Sequence, residues 1–310
     1  MATLPDAYKL SKELITAQKI GTPVVALESA VITHGLPHPD NLNLARDMEA
    51  DIRAEGVLPA TIALLDGKIK VGLEAEELER LATLEESRKI SLRDFGIALA
   101  NGISGGTTVA ATLYVAARVG IRVFATGGIG GVHRGAAFDV SADLPQLGKT
   151  PVLVVCAGAK AILDLPATRE VLETQGVPVI GYQTDDFPAF YTRSSGLPVD
   201  FRVDTPEQAA AVAAQAWDAG LSSAVLLVVP PPEESALPED DMEDAVMAAI
   251  AEAEDLGVYG AATTPFLLKR MSEITQGESL RANLALLRNN ARIAAKVAAA
   301  LSKVGKTGPF

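Results

Sequence analysis

Residues 122–160, RVFATGGIGGVHRGAAFDVSADLPQLGKTPVLVVCAGAK, contain two short apolar strands, each ending in small residues and then in a reactive side chain. The run Val152–Cys156 is β-branched, lies between Pro151 and Gly158, and reads as a strand buried on both faces. Ala157-Gly158-Ala159 then delivers Lys160 to the carboxyl end of that strand, where open α/β sheets and barrels place their ligands. An amine there is readily desolvated, and desolvation lowers a lysine pKa toward the nucleophilic free base. The alternative for Lys160 is a snorkelling side chain at the start of a helix.

Working outward, the chain alternates strands with helices. An amphipathic N-terminal helix precedes a strand at 23–28, the loop SAVITHGLPHP and a helix at 40–55. A strand at 60–65 turns at Asp66-Gly67 into 68–71, a hairpin signal, and a charged helix follows at 74–86. A short strand at 89–92, an alanine-rich helix at 107–118 behind Gly105-Gly106, and strands at 122–125, 152–156, 177–182 and 224–229 complete the pattern. It predicts a three-layer α/β/α sandwich with a mostly parallel mixed sheet, read as a single catalytic unit over 1–310. A (β/α)8 barrel is the alternative, but the hairpin and the helical tail from Pro265 to Val304 favour the sandwich.

Composition narrows the function classes. The 310 residues suffice for a substantial core, and aromatics at 5% suit tight helix-on-sheet packing better than an aromatic binding surface. A net charge of −12 argues against nucleic acid, which needs a basic surface to displace counterions. The lone Cys156 sits inside an apolar strand and reads as a small buried hydrophobe, with a catalytic thiol as the lesser alternative. With no signal-like N-terminus and no run near the ~18 apolar residues of a membrane span, the expectation is a cytoplasmic protein without membrane partners.

Several groups could do chemistry. Glu28 ends the strand VVALES, and a carboxyl against apolar neighbours keeps its proton to higher pH, as a general acid requires; a capping carboxylate is the other reading. His34 and His38 follow in the same loop, equally consistent with a surface role. TGGIGG at 126–131 lacks the GxGxxG spacing of a dinucleotide fold, yet its N–H groups, like those of Gly105-Gly106-Thr107-Thr108 at a helix start, can cradle an anion. With Lys89 and Arg134 these two nests predict one bound phosphate; tight turns needing positive φ are the alternative. Asp139 and Asp143 offer oxygen ligands suited to Mg²⁺ or Mn²⁺, though Asp-x-x-x-Asp also caps helices.

In their order and spacing, ALESAVITHGLPHPDN, PATIALLDGKIKVGL, GGTTVAATL, VFATGGIGGVHRG, FDVSADL, VVCAGAKAILDL, GVPVIGYQTDDFPAFY and TPFLLKRM resemble the pseudouridine-5′-phosphate glycosidase, or indigoidine synthase A-like, family from about residue 20 to 300. The resemblance implies reversible cleavage of the C–C glycosidic bond of pseudouridine 5′-phosphate to uracil and ribose 5-phosphate, with Mn²⁺ (replaceable by Mg²⁺ or a similar ion) and a homotrimer. It implies Glu28 as acid, Lys160 as the nucleophile forming a sugar adduct, and Asp139 as metal ligand. Lys89, Val109, Ser141, Ala142 and Asp143 match substrate-contacting positions, Thr107 and Thr108 are added here for phosphate, and His133 and Asn283 fall on polar positions of the pocket. Two residues usual in the family are missing at Gly135-Ala136-Ala137, beside Asp139. The chemistry is coherent, because a carbon leaving group needs an electron sink that the two carboxylates of an O-glycosidase do not supply. The alternatives are another imine-forming phosphosugar lyase or aldolase, and a phosphosugar-binding protein without turnover.

Overall fold

The computed structural model describes residues 4–135, 139–258 and 263–304. In chain order the strands are β1 (Tyr8–Leu10), β2 (Val24–Leu27), β3 (Leu58–Leu65), β4 (Lys68–Val71), β5 (Arg88–Ile90), β6 (Gly105–Thr107), β7 (Val123–Ala125), β8 (Val132–His133), β9 (Leu153–Cys156), β10 (Leu163–Asp164), β11 (Val179–Tyr182), β12 (Phe201–Val203) and β13 (Val225–Val228). The helices are α1 (Lys12–Ile20), α2 (Asp40–Ala54), α3 (Ala75–Ala82), α4 (Phe95–Ala100), α5 (Val109–Arg118), α6 (Asp143–Leu147), α7 (Leu165–Thr174), α8 (Pro206–Asp218), α9 (Glu239–Asp255), α10 (Thr263–Ile274) and α11 (Glu278–Val304).

Among the described residues, eleven strands form one open sheet in the order β1-β4-β3-β2-β7-β9-β13-β11-β12, with β6 and β5 continuing from β3. Pairing is parallel from β3 through β12, whereas β3 meets both β4 and β6 antiparallel. The two ends of that path do not pair, so the expected sandwich holds and the barrel does not. Every residue of β3 is buried, as helices on both faces require. α2, α8 and α11 pack together as one helical layer, while α5, α6 and α7 make the other. The β3–β4 turn is the two-residue type I′ hairpin its sequence signals: Asp66 and Gly67 have φ of 50° and 68°.

From β2 the chain moves to β3 on one side, and from β7 it moves to β9 on the other. That reversal opens a crevice at the carboxyl ends of β2 and β7, the switch point where such sheets bind ligands. α11 covers β2, β7 and β9 and is tied to α2 by Arg288 and Arg292, 2.8 and 3.0 Å from the two oxygens of Asp51.

Some elements differ from expectation. Gly105-Gly106-Thr107 is a strand, because its backbone pairs with β3 and β5, and the helix begins only at Val109. The charged helix stops at Ala82, not near 86. Strand β1 and helix α9 were not anticipated; α9 opens with Glu239, Asp240 and Asp241, acidic residues that favour a helix N-terminus. No described helix is long and apolar enough to cross a membrane.

Phe124 is fully buried at the middle of β7. Replacing it with Ala is expected to cost about 3–5 kcal/mol in urea unfolding, the range for a large core deletion; a loss below about 1 kcal/mol would contradict this packing.

Candidate active site

Adjacent parallel strands bring the two expected catalytic residues together: Glu28 follows β2 directly and Lys160 lies four positions beyond β9, with Thr126 at the end of β7 between them. The Lys160 loop is zipped to the glycine loop by three backbone bonds, Ala157 N to Gly127 O (2.7 Å), Ile129 N to Gly158 O (3.0 Å) and Lys160 N to Ile129 O (3.1 Å). On the other side, Ser29 Oγ donates to Ile62 O (2.5 Å) and accepts from Thr107 N (2.9 Å), which fixes the backbone beside Glu28.

The Thr126 hydroxyl donates to Glu28 Oε1. Burial pushes the Glu28 carboxyl above its ordinary range and outweighs the nearby Lys160 ammonium, the Thr126 bond and Lys89, all of which favour the carboxylate. Lys89 is shifted down, first by burial and then by the Lys160 charge. Among the described residues, neither lysine ammonium makes a hydrogen bond or close ion pair. The site therefore holds an acid inclined to keep its proton and amines not locked to a partner.

Glu28, Ala30, Lys89, Lys160 and Thr264 line two cavities at once. One, about 350 Å³, is polar, with Arg93, Thr108, His133, Asp139 and Ser141 around it and Val109, Ala142 and Asp143 in its wall. The other is narrow and mostly apolar, walled by Val31, Phe190, Leu268 and Leu287, with His34 and Asn283 as its polar groups. A larger cavity, of about 600 Å³ between α7 and α9, contains none of Glu28, Lys89 and Lys160.

Of the two predicted anion nests, the one at 105–108 does not form, because its glycines pair in the sheet and Thr107 N and Thr108 N donate to Ser29 Oγ and the Ile90 carbonyl, and the one at 126–131 is met by the protein's own Asp143. Asp143 Oδ1 accepts from Ala110 N in the first turn of α5, and Oδ2 accepts from Gly130 N, each at 2.8 Å. A Cβ on Gly130 would stand 2.3 Å from Ser141 Oγ and 2.8 Å from Asp143 Oδ2, so only glycine fits that approach. Thr107 is likewise no phosphate ligand: it is fully buried and its hydroxyl donates to Ile62 O (2.7 Å). Arg134 points away from the polar cavity, held by Glu243 and the carbonyls of Leu163 and Ala161. His38 is exposed, and Cys156 is inert, its thiol pushed up to about 12 by burial.

Asp139 is half-exposed at the mouth of the polar cavity, its Oδ2 2.9 Å from His133 Nδ1, although the alignment there is not that of a hydrogen bond. Asp143 is engaged by two N–H groups, whereas Asp139, beside His133, keeps nearly half of its side chain open to solvent. Among the described residues no three His, Cys, Asp or Glu side chains form a metal cluster. The donor set fits a hard cation that keeps its waters and shares a substrate phosphate, not an all-protein cage. Ala136 and Ala137 of the shortened loop lie outside the described residues.

Sequence reading missed Thr126 and Arg93. Thr126 carried a signal, a hydroxyl at a strand end beside the glycines; Arg93, on an exposed turn before α4, carried none.

An open α/β sheet with a buried acid and free amines at its switch point defines a small-molecule enzyme site. The indigoidine synthase A-like protein profile matches residues 13–300, and the chain belongs to that family. It is 54% identical to the pseudouridine-5′-phosphate glycosidase of Caldanaerobacter subterraneus subsp. tengcongensis, over 96% of this chain and 97% of that protein. It is 57% identical to the one from Herpetosiphon aurantiacus, over 94% and 97%. Among solved structures it is similar to prealnumycin C-glycosynthase in complex with ribulose 5-phosphate, with TM-score 0.90, 41% identity and coverage of 98% and 100%.

The raised Glu28 pKa has a stability consequence. Stability contributed by the protonated side chain is fully present below the ordinary glutamate range and is lost as pH rises through the folded-state value. Glu28→Gln removes this loss, so its Tm should exceed that of wild type at about pH 8, with the advantage shrinking toward about pH 5; an advantage growing at acid pH would contradict the shift.

Proposed function

We propose that this chain is a pseudouridine-5′-phosphate glycosidase that reversibly cleaves the C–C bond between ribose and uracil. The observation that carries the reading is the placement of Glu28 and Lys160 where a polar cavity of about 350 Å³ meets a narrow, mostly apolar one. The names of the high-identity relatives support it.

In this reading the phosphosugar occupies the polar cavity, its phosphate near Lys89, Arg93, Thr108 and Ser141. Glu28 gives its proton to the ring oxygen as the C1′–O bond breaks, and the Lys160 nitrogen bonds to C1′ after losing a proton. The nitrogen lone pair then forms an iminium as the C1′–C5 bond breaks, and its electrons leave on uracil C5, which takes up a proton. Water adds to the iminium and releases ribose 5-phosphate, so one water is consumed per bond cleaved. Covalent catalysis of this kind divides one difficult departure into easier steps. Asn283, with its amide donor and acceptor, matches the imide edge of the base.

A divalent ion, Mn²⁺ here with Mg²⁺ or a similar ion as substitute, would be held by Asp139 and would supply positive charge to the phosphosugar oxygens. The same reading has the chain working as a cytoplasmic homotrimer whose partners are its small-molecule substrates.

Uracil, ribose 5-phosphate and Mn²⁺ should give pseudouridine 5′-phosphate with the wild-type protein, detected by chromatography and mass. Lys160→Ala should lose at least about 10³-fold in rate with unchanged circular dichroism. Absence of product from the wild type, or a variant within a few-fold of it, would overturn the reading.

A further inference from the structure

Beyond the apolar cavity lies another, of about 450 Å³, which shares His34, Gly35, Pro265, Leu268 and Asn283 with it. It touches neither Glu28 nor Lys160. Its inner wall is built: Tyr191, almost fully buried, bonds through its hydroxyl to Ser279, whose Oγ also accepts from Thr275 at 3.0 Å. Leu36, Pro37 and Leu280 add an apolar lining, and the cavity opens to solvent past the exposed Lys269 and Glu273. Asn283 stands at the junction, only 6% exposed, with a side-chain amide that has no hydrogen-bond partner among the described residues. Asn283 lines both cavities, so its amide is within reach of a ligand in either.

Resting on the function proposed above, the geometry of the base fixes what reaches this junction. Uracil is joined to the sugar through C5, which must face Glu28 and Lys160. The atom across the ring is C2, flanked by N1 and N3, so the N1–C2–N3 edge points away from the catalytic pair toward Asn283 and His34. A group on N1 would leave the narrow base cavity through the shared wall and enter the second one. We infer that this second cavity is an extension of the base site, and that the protein accepts uracils and pseudouridine 5′-phosphates carrying a bulky N1 substituent.

The chemistry permits it. In the synthetic direction the C5–H bond of the base and the anomeric C1′ hydroxyl of the cyclic sugar are replaced by a C5–C1′ bond, and one water leaves. The N1 lone pair that drives C5 as a nucleophile is retained when N1 carries carbon in place of hydrogen. The volume lies within the range of small-molecule pockets and accommodates a benzyl group.

The test compares uracil with 1-benzyluracil as acceptor of ribose 5-phosphate in the presence of Mn²⁺. Ser272, on α10, and Lys269, at the solvent end, line the second cavity and not the first. Wild type should join 1-benzyluracil at a rate within about tenfold of uracil, while Ser272→Phe keeps the uracil rate and loses at least about tenfold on 1-benzyluracil. Lys269→Trp, at an exposed position, should give the same selective loss if Ser272→Phe folds poorly. Product from uracil but none from 1-benzyluracil with the wild type would overturn the extension alone. Equal losses on both acceptors in a folded variant would also overturn it. If wild type fails with uracil too, the proposed function falls and the extension falls with it.

Discussion

The arrangement of the site depends on one buried carboxylate that does no chemistry in this account. Asp143 joins the first turn of α5 to Gly130 of the glycine loop by two hydrogen bonds of 2.8 Å. Those N–H groups would otherwise face a binding cavity as an open anion nest, with the helix dipole adding to the field. Filling the nest internally makes the loop rigid, and the loop in turn carries the rest: its Ile129 carbonyl holds the Lys160 amide, and its first residue, Thr126, holds Glu28. From the helical layer behind, Asn290 Nδ2 donates to the Thr126 carbonyl at 2.9 Å, so the same turn is gripped from both sides.

With that frame fixed, the protonation of the site follows from burial and charge. Three ionisable groups share one space, and the two resolved shifts run in the same chemical sense, toward the neutral form: Glu28 up and Lys89 down. Desolvation is the largest cause for both, ahead of any pairwise charge. A neutral acid beside an amine is the state in which one group can donate a proton while the other attacks. An ion pair between them would have quenched both roles, and the free lysine ammoniums are consistent with its absence.

The fold and the placement of Glu28 and Lys160 were legible in the sequence because both are local signals. Strands β2 and β9 are short apolar runs, and Glu28 and Lys160 stand where those runs stop, so position along the chain implied position in the sheet. Asp66-Gly67 likewise announced its own turn. What stayed hidden depends on partners distant in sequence. The glycines at 105–106 read as a helix start because the β3 strand that captures them lies about forty residues away. Asp143 read as a metal or substrate ligand because its two N–H donors are 13 and 33 residues distant. Arg134 read as a phosphate ligand, yet the Glu243 that claims it sits 109 residues away on α9, a helix not anticipated from the sequence.

The central claim is that the Lys160 amine, not that of Lys89, bonds to the sugar. The direct measurement is borohydride reduction of the protein with ribose 5-phosphate and Mn²⁺, followed by peptide mass mapping. The account predicts a stable adduct, ribose 5-phosphate less one oxygen, on the peptide bearing Lys160 and absent from Lys160→Ala. An adduct on Lys89, or none at all in a protein that turns over, would contradict it.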